Sequence, residues 1–409
     1  MRKYFMRNNL FLSFLFSLIF FLFGMSTLAD YGVNWDALSQ LSRGQAFLHY
    51  YLTGKKDYSD LSDLKLYQQK EKEIQDLTVK NPVPRQRLYF QNPQTIFFSP
   101  DIPKSEIPRI SMYQNAYDVF QNIPARYEYG HPHVSDVLSS VFNFLLFQKL
   151  GFLNDIDSYR VYSLVLSSIL VGLVFYWTAY SFGKFAGLIA VLSLSLYPLF
   201  WAESHFNNEK DIPEAAFLTL MIFSFWKGIT SKSWKWILII GVFFGLAIGT
   251  KFNVLFSVFV ILPWFAFYLK FQERILNKKL VLALLLAPIL GITIFIGTWP
   301  EFWLDPMHKI TRIVNFYKDI GTTPAITQGF TGPFGISTYA AQWILYTTPL
   351  VILALASLGI MAIISRKVKS KQMEVWLFLL MFFVPIARVT WPGTNIYGGV
   401  RQIMEFIPA

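Results

Sequence analysis

The chain alternates between apolar stretches and polar segments, and most of the apolar stretches approach the length that a membrane helix needs. The first covers residues 10–28, and a long polar region, residues 30–158, separates it from the others. The later stretches are 161–180, 185–200, 212–226, 236–249, 254–269, 280–299, 339–364 and 375–389. A helix crosses a bilayer with about 20 apolar residues. The pattern therefore predicts an all-α, polytopic integral membrane protein with about nine transmembrane helices.

The apolar stretches divide the chain into four parts. The first transmembrane helix has a competing interpretation, because Thr27-Leu28-Ala29 resembles the cleavage site of a signal peptide. We favour an uncleaved helix, since the apolar run is long enough to span. The abrupt end of the chain suggests a truncated member of a larger fold. The parts are residues 1–29, the first helix; 30–158, an extracytoplasmic loop with juxtamembrane helices; 159–390, the remaining transmembrane bundle; and 391–409, an extracytoplasmic end.

The long polar region opens and closes with helices suited to a membrane surface. From Asp36 onward, apolar residues recur at intervals of three and four through Tyr51, which predicts an amphipathic helix lying on the bilayer. Residues 134–150 have a short apolar pattern interrupted by polar residues, which predicts a second surface helix. Between them, residues 57–77 predict a solvated helix and residues 81–108 a Pro-rich connection. Asp36 is thereby expected close to the membrane surface.

Composition excludes a soluble protein. The chain is 54% hydrophobic and 15% charged, whereas soluble domains are about 25% charged. The net charge of +11 would be compatible with nucleic acid, but many of the cations lie in short loops between apolar stretches, where they set topology. We therefore expect membrane lipid, and no nucleic acid, as a partner. The chain has no cysteine, so disulfides, zinc–thiolate sites and iron–sulfur clusters are excluded.

The distribution of Lys and Arg predicts the orientation in the membrane. Cations cluster in every second loop, and the positive-inside rule places those loops in the cytoplasm. The short opposite loops, 201–211 and 250–253, hold only Lys210 and Lys251. Every non-trivial polar motif then falls on the extracytoplasmic side. We expect a multi-pass protein of a bacterial inner membrane with an extracytoplasmic site.

Two acidic positions on that side are candidates for chemistry. Asp36 follows the first transmembrane helix and can act as a general base, or it can simply cap the amphipathic helix. Glu209 and Asp211 form an acid-x-acid triplet in the loop between the third and fourth stretches. Hard oxygen ligands in that spacing can hold a divalent metal cation, while the competing interpretation is a helix cap at Asp211 with Pro213 in the first turn.

Several cations and histidines are candidates for binding a phosphorylated substrate. Lys251 lies at the outer end of a predicted span and either binds a substrate phosphate or reaches lipid headgroups. Arg401 follows Gly398-Gly399, and its forked guanidinium suits a phosphate. Arg43 projects from the amphipathic helix. His131 and His133 flank a proline before the second surface helix and are candidates for substrate binding, or they are ordinary loop residues.

At these residues the sequence resembles the GT-C membrane glycosyltransferases, in the branch that contains protein O-mannosyltransferases and aminoarabinose transferases. The matching motifs are NWD at 34–36, HPH at 131–133, Arg160 at the start of the second span, GLAIGTKFNVLF at 245–256 and YGGVRQ at 397–402. The resemblance implies a polyprenyl-phosphate sugar donor, inversion at the sugar, and Asp36 as the base. Protein mannosyltransferases follow this Asp with Glu, whereas this chain has Ala37.

The function that we predict is transfer of a sugar from a polyprenyl-phosphate donor to the hydroxyl of a lipid, glycan or protein acceptor. The lipid phosphate can leave without an acid if Lys251, Arg401 or a bound cation stabilises its charge. A transporter or flippase is a rival, but it would place ionisable residues within the spans, which here are nearly free of them. The second rival is an inactive envelope-assembly protein.

Overall fold

The structure is a computed structural model. It describes residues 2–34, 36–56, 58–61, 109–111, 113–114, 130–272, 276–322, 330–365, 371–394 and 398–409. Most of the helix predicted at 57–77, all of the Pro-rich connection at 81–108, Trp35 and Tyr397 lie outside these residues. The described helices are α1 Arg2–Thr27, α2 Ala37–Thr53, α3 Val134–Asn143, α4 Asp155–Phe182, α5 Lys184–Ser195, α6 Pro198–Phe206, α7 Asp211–Thr230, α8 Trp234–Ile248, α9 Val258–Gln272, α10 Lys278–Gly297, α11 Glu301–Leu304, α12 Pro306–Thr322, α13 Tyr339–Thr347, α14 Leu350–Ile364 and α15 Gln372–Thr390.

The predicted fold class is confirmed: the described residues form an all-α protein with several membrane-spanning helices. Six helices in these residues are long and apolar enough to cross a membrane, and α5 with α6 makes a seventh if the bent pair is one span. Two further apolar helices, α8 and α14, are shorter. The predicted total of about nine spans therefore stays a prediction.

Proline breaks two stretches that we predicted as continuous helices. The stretch 339–364 is two helices, because Pro349 cannot donate the backbone hydrogen bond of a helix and Thr348 before it is extended (φ −95°, ψ 128°). The stretch 185–200 bends by 60° between α5 and α6, where Pro198 begins the second helix. Apolar length alone did not predict either break.

Two helices form the centre of the bundle. Within its apolar window α7 is 89% buried and α4 is 78% buried, whereas the corresponding window at the N-terminus is 11% buried. The first two are therefore core helices, and α1 presents most of its surface to lipid. On the other side of the core, α8 packs closely against α10, because a side chain at Gly241 would lie 2.5 Å from the backbone oxygen of Ala287. Small residues spaced four apart commonly permit such contacts between membrane helices.

The helix α2 begins at Ala37, as the amphipathic pattern predicts, but it is more completely buried than a helix lying on a bilayer. Its polar face packs against α3, and Gly44 permits this contact because a Cβ there would lie 2.2 Å from the backbone oxygen of Asp136. The guanidinium of Arg43 donates to Asp136 across the same interface (Nε to Oδ2, 2.8 Å). This packing fixes α2, and with it the residues that precede α2, against the bundle.

Candidate functional site

Asp36 lies immediately before α2, and its carboxylate does not cap the helix. Asn34 performs that role, since its Oδ1 accepts a hydrogen bond from the backbone N–H of Ala37 (2.8 Å). The alternative that Asp36 is only a helix cap therefore does not agree with the structure. Its side chain is left to face the centre of the site.

Arg401 connects Asp36 to Asp211, although the three residues come from three distant parts of the chain. The guanidinium Nη2 donates to Asp36 Oδ2 (2.9 Å), and Nε donates to Asp211 Oδ2 (2.9 Å). One guanidinium thus holds two carboxylates through separate nitrogens, which an arginine side chain can do because its donors form a rigid fork. The structure therefore brings together Asp36, Asp211 and Arg401.

Asp211 is the buried centre of this group. It occupies the first turn of α7, and its carboxylate also accepts hydrogen bonds from Lys251 Nζ (2.8 Å) and Asn207 Nδ2 (2.7 Å). Its backbone N–H donates to Asn207 Oδ1 (3.0 Å), so the side chain of Asn207, and not that of Asp211, satisfies this N–H at the start of α7. With three side-chain partners, Asp211 is held rigidly in place.

A second layer of charges lies behind Asp211. Lys251 Nζ lies 3.0 Å from Glu214 Oε2, and Arg388 donates to Glu405 Oε1 (2.9 Å). Arg388 also donates to the backbone oxygen of Gln402, the residue after Arg401. We name the four acids and four cations the ion-pair network. Its members are Asp36, Asp211, Glu214, Glu405, Lys210, Lys251, Arg388 and Arg401.

Only one end of the ion-pair network is open to solvent. The side chains of Asp36 and Arg401 are 29% and 30% exposed, whereas that of Asp211 is 3% exposed. Lys210 joins the same end, with its Nζ 3.7 Å from Asp36 Oδ2. A substrate can therefore reach Asp36 and Arg401 directly. The Lys210 side chain, 12% exposed, lies beside them, and the rest of the network supports them from behind.

The charges of the network keep its exposed acid ionised. Burial alone would raise the pKa of Asp36, but Lys210 and Arg401 outweigh burial and lower it below its usual value. Burial acts to lower the pKa of Arg401 and of Lys251, and the neighbouring carboxylates raise both well above their usual values. The open end thus carries an ionised acid and fixed positive charges at neutral pH.

Glu209, predicted to share a metal with Asp211, has a different environment. Its Oε2 accepts from Asn34 Nδ2 (2.7 Å), its Oε1 is buried without a partner, and burial raises its pKa to about 8. Asp211 instead accepts from cations. Within the residues that the structure describes, no three His, Asp or Glu side chains converge as a metal site requires. The predicted divalent cation stays a prediction.

Three other predicted ligands of the substrate lie at the margin of the site or away from it. Arg43 is buried and engaged by Asp136 and the backbone oxygen of His131 (3.2 Å). His133 donates to the Thr298 backbone oxygen (2.8 Å) and stacks on Phe47 at a centroid distance of 4.0 Å, away from the ion-pair network. His131 borders the site, since the charges of Lys210, Arg43 and Lys251 add to burial in lowering its pKa.

Sequence reasoning found Asp36, Asp211, Lys251 and Arg401 but missed their neighbours. Lys210 stands inside the acidic triplet, between the two acids to which the sequence-based prediction assigns the chemistry. Arg388 and Glu405 are isolated charges in apolar surroundings, which is the signal that would have identified them, because such charges are costly in a membrane unless paired. Asn34 gave no signal beyond its place in the NWD motif.

The structure defines an integral, multi-pass membrane protein with a partly open charged site at one end of its helices. Comparison with protein families is consistent with this description. Residues 142–299 match the family of the dolichyl-phosphate-mannose-protein mannosyltransferases, which supports a membrane glycosyltransferase of the GT-C type. The match includes Asp211 and Lys251 and ends before Arg401. No curated protein and no solved structure matches the chain.

Proposed function

We propose that the protein transfers a sugar from a polyprenyl-phosphate donor to an acceptor hydroxyl on the extracytoplasmic face, with inversion. The observation that supports this most strongly is the open end of the ion-pair network, where Asp36 lies between Arg401 and Lys210. A transfer of this kind needs a base for the acceptor and positive charge for the departing phosphate. Both lie within reach of one substrate.

In the proposed reaction the acceptor oxygen forms a bond to the anomeric carbon while the bond from that carbon to the phosphate oxygen breaks. The acceptor proton passes to a carboxylate oxygen of Asp36, and the electron pair of the broken bond leaves with the polyprenyl phosphate. Arg401 and Lys210 stabilise the added negative charge. Lys251 is already paired with Asp211 and Glu214, and we assign it to holding Asp211 in place.

Binding of the donor has a consequence for the base. A phosphate between Arg401 and Lys210 competes with Asp36 for both cations, so Asp36 loses the interactions that lower its pKa and gains a negative neighbour. Its pKa therefore rises in the donor complex, and the carboxylate becomes a stronger base when the substrate is present.

A cavity inside the bundle supports a lipid-linked donor. It has a volume of about 430 Å³ and apolar walls contributed by α4, α5, α14 and α15. The last four residues of the chain, Phe406 to Ala409, also line it, and they follow Arg401 closely in sequence. A donor whose phosphate lies at Arg401 can extend the first part of its isoprenoid chain into this space.

The experiment compares Asp36→Asn with the wild type in membranes supplied with polyprenyl-phosphate mannose labelled in the sugar. We expect sugar transfer to fall by about 10²–10⁴, the usual loss for a general base, with unchanged membrane insertion. Asp30→Asn is the matched control, because Asp30 is an exposed acid just before the same helix. Wild-type transfer by Asp36→Asn would disprove the assignment.

A further inference from the structure

Asn34 joins two outer loops through a side chain whose hydrogen-bonding groups are all used. Its Nδ2 donates to Glu209 Oε2 (2.7 Å) and to the backbone oxygen of Phe206 (3.0 Å), and its Oδ1 accepts from Ala37 (2.8 Å). An amide has two donor hydrogens, so each one has a separate acceptor here. The residue therefore has one conformation that satisfies all of its partners.

The two loops that Asn34 joins also supply the two sides of the proposed site. Asp36 lies two residues after Asn34, at the start of α2. Lys210 and Asp211 directly follow Glu209, at the start of α7. The contact between Asn34 and Glu209 thus sets the position of the first loop relative to the second at the point where each one supplies charge to the site.

Glu209 is suited to this contact and poorly suited to contact with a substrate. Its side chain belongs to a residue that is 2% exposed, and its one hydrogen-bonded oxygen faces Asn34. A buried acceptor that matches a donor is costly to leave unpaired, which makes the contact specific. No substrate can reach the carboxyl group while the loop keeps this arrangement.

We infer that Glu209 is a positioning residue, which acts through Asn34 to hold Asp36 against Arg401 and Lys210. This inference rests on the proposed role of Asp36 as the base. It gives Glu209 a function that needs no metal. Because Asp211 is anchored independently by Lys251 and Asn207, loss of the contact displaces Asp36 and leaves the cations in place.

The first test uses four variants in the same transfer assay. Asn34→Ser keeps a side-chain oxygen for the helix cap and loses both amide donors. Glu209→Leu loses the acceptor, and Glu209→Gln keeps it. We expect kcat to fall ~10- to 100-fold in Asn34→Ser and Glu209→Leu, with little change in KM for the donor, because a displacement of about 1 Å at a reacting group has an effect of this size. Glu209→Gln should transfer sugar like the wild type.

The fourth variant, Asn34→Ser/Glu209→Leu, tests whether the two residues act together. If they act through one contact, the double variant should lose no more kcat than the worse single variant. Thermal unfolding in detergent accompanies each measurement, so that a fall in kcat at unchanged stability is separated from misfolding. Multiplied losses in the double variant, or a KM that rises while kcat stays constant, would overturn the inference.

Asp36→Asn is measured beside these variants to keep the two proposals apart. An active Asp36→Asn protein refutes the base itself. An inactive Asp36→Asn protein together with a fully active Asn34→Ser protein refutes only the positioning role. Glu209 would be assigned to a metal instead if Glu209→Gln is inactive, no change at Asn34 restores it, and chelators inhibit the wild type.

Discussion

Arg401→Lys gives the sharpest test of the ion-pair network, because it keeps the charge and removes the geometry. The guanidinium holds Asp36 and Asp211 with different nitrogens, each at 2.9 Å. A single ammonium cannot reproduce the rigid fork, so one of the two contacts is lost or lengthened. We expect the buried contact to Asp211 to survive, since its partner is 3% exposed, and the contact on the side of Asp36 to weaken.

The size of the effect follows from exposure. A hydrogen bond to a charged group contributes about 1.5–3 kcal/mol, and an exposed ion pair contributes roughly 0.2–1 kcal/mol. With both side chains near 30% exposed, the contact between Arg401 and Asp36 falls between these ranges, at about 1–1.5 kcal/mol. In the proposed donor complex the phosphate takes the place of Asp36 at this nitrogen, so a loss of this size there corresponds to roughly a tenfold fall in kcat/KM for Arg401→Lys. Arg401→Ala removes the positive charge that stabilises the departing phosphate, so kcat/KM should fall by about 10²–10³.

The assay is sugar transfer from labelled polyprenyl-phosphate mannose, with kcat/KM measured for the wild type, both Arg401 variants and Lys318→Ala. Lys318 is an exposed cation on α12, and its variant controls for a general change of surface charge. We expect kcat/KM to decrease from the wild type to Arg401→Lys and again to Arg401→Ala. Lys318→Ala should have the kcat/KM of the wild type. Wild-type kcat/KM in Arg401→Ala would refute the role of the network in transfer.

Three further predictions concern pH, metal and topology. The lowered pKa of Asp36 keeps it ionised in the free enzyme, which kcat/KM reports, whereas kcat reports the donor complex. The acidic limb of the pH profile of kcat/KM should therefore lie at lower pH than the acidic limb of kcat. Coincident limbs would contradict displacement of Asp36 by phosphate. If the acidic triplet holds a divalent cation, a chelator should abolish transfer and added metal should restore it. Transfer that resists the chelator would contradict a metal at this site. Reporter fusions should place residues 201–211 and 300–338 outside and 227–235 and 365–371 inside.

The sequence predicted the parts of this fold that depend on hydrophobic length and on charge asymmetry. The apolar stretches correspond to helices because a membrane requires the backbone hydrogen bonds to be satisfied within each segment. The gathering of Asp36, Asp211 and Arg401 was foreseeable for a related reason. Each one lies at a helix end or in a connecting segment on the same predicted side, and a bundle brings such parts together. Their roles in transfer remain predictions.

Partners across long separations could not be predicted. Arg43 is a predicted ligand of the substrate, yet Asp136 engages it from a helix 93 positions away. Lys251 is predicted to bind a substrate phosphate or to reach lipid headgroups, and it is engaged by two carboxylates of α7. A sequence gives the identity and approximate depth of a charge, whereas which buried charges neutralise each other depends on packing.

The pairing of opposite charges also explains why proton transfer and departure of the phosphate should assist each other. In the proposed reaction Asp36 begins as a competitor of the phosphate for Arg401 and Lys210. When it takes the acceptor proton it becomes neutral and loses that competition, at the moment when the leaving phosphate gains negative charge. The buried part of the network keeps Arg401 fixed throughout, because Asp211, only 3% exposed, holds its Nε. In the proposed mechanism, one exposed carboxylate among fixed cations thus couples the base to the leaving group without a separate acid.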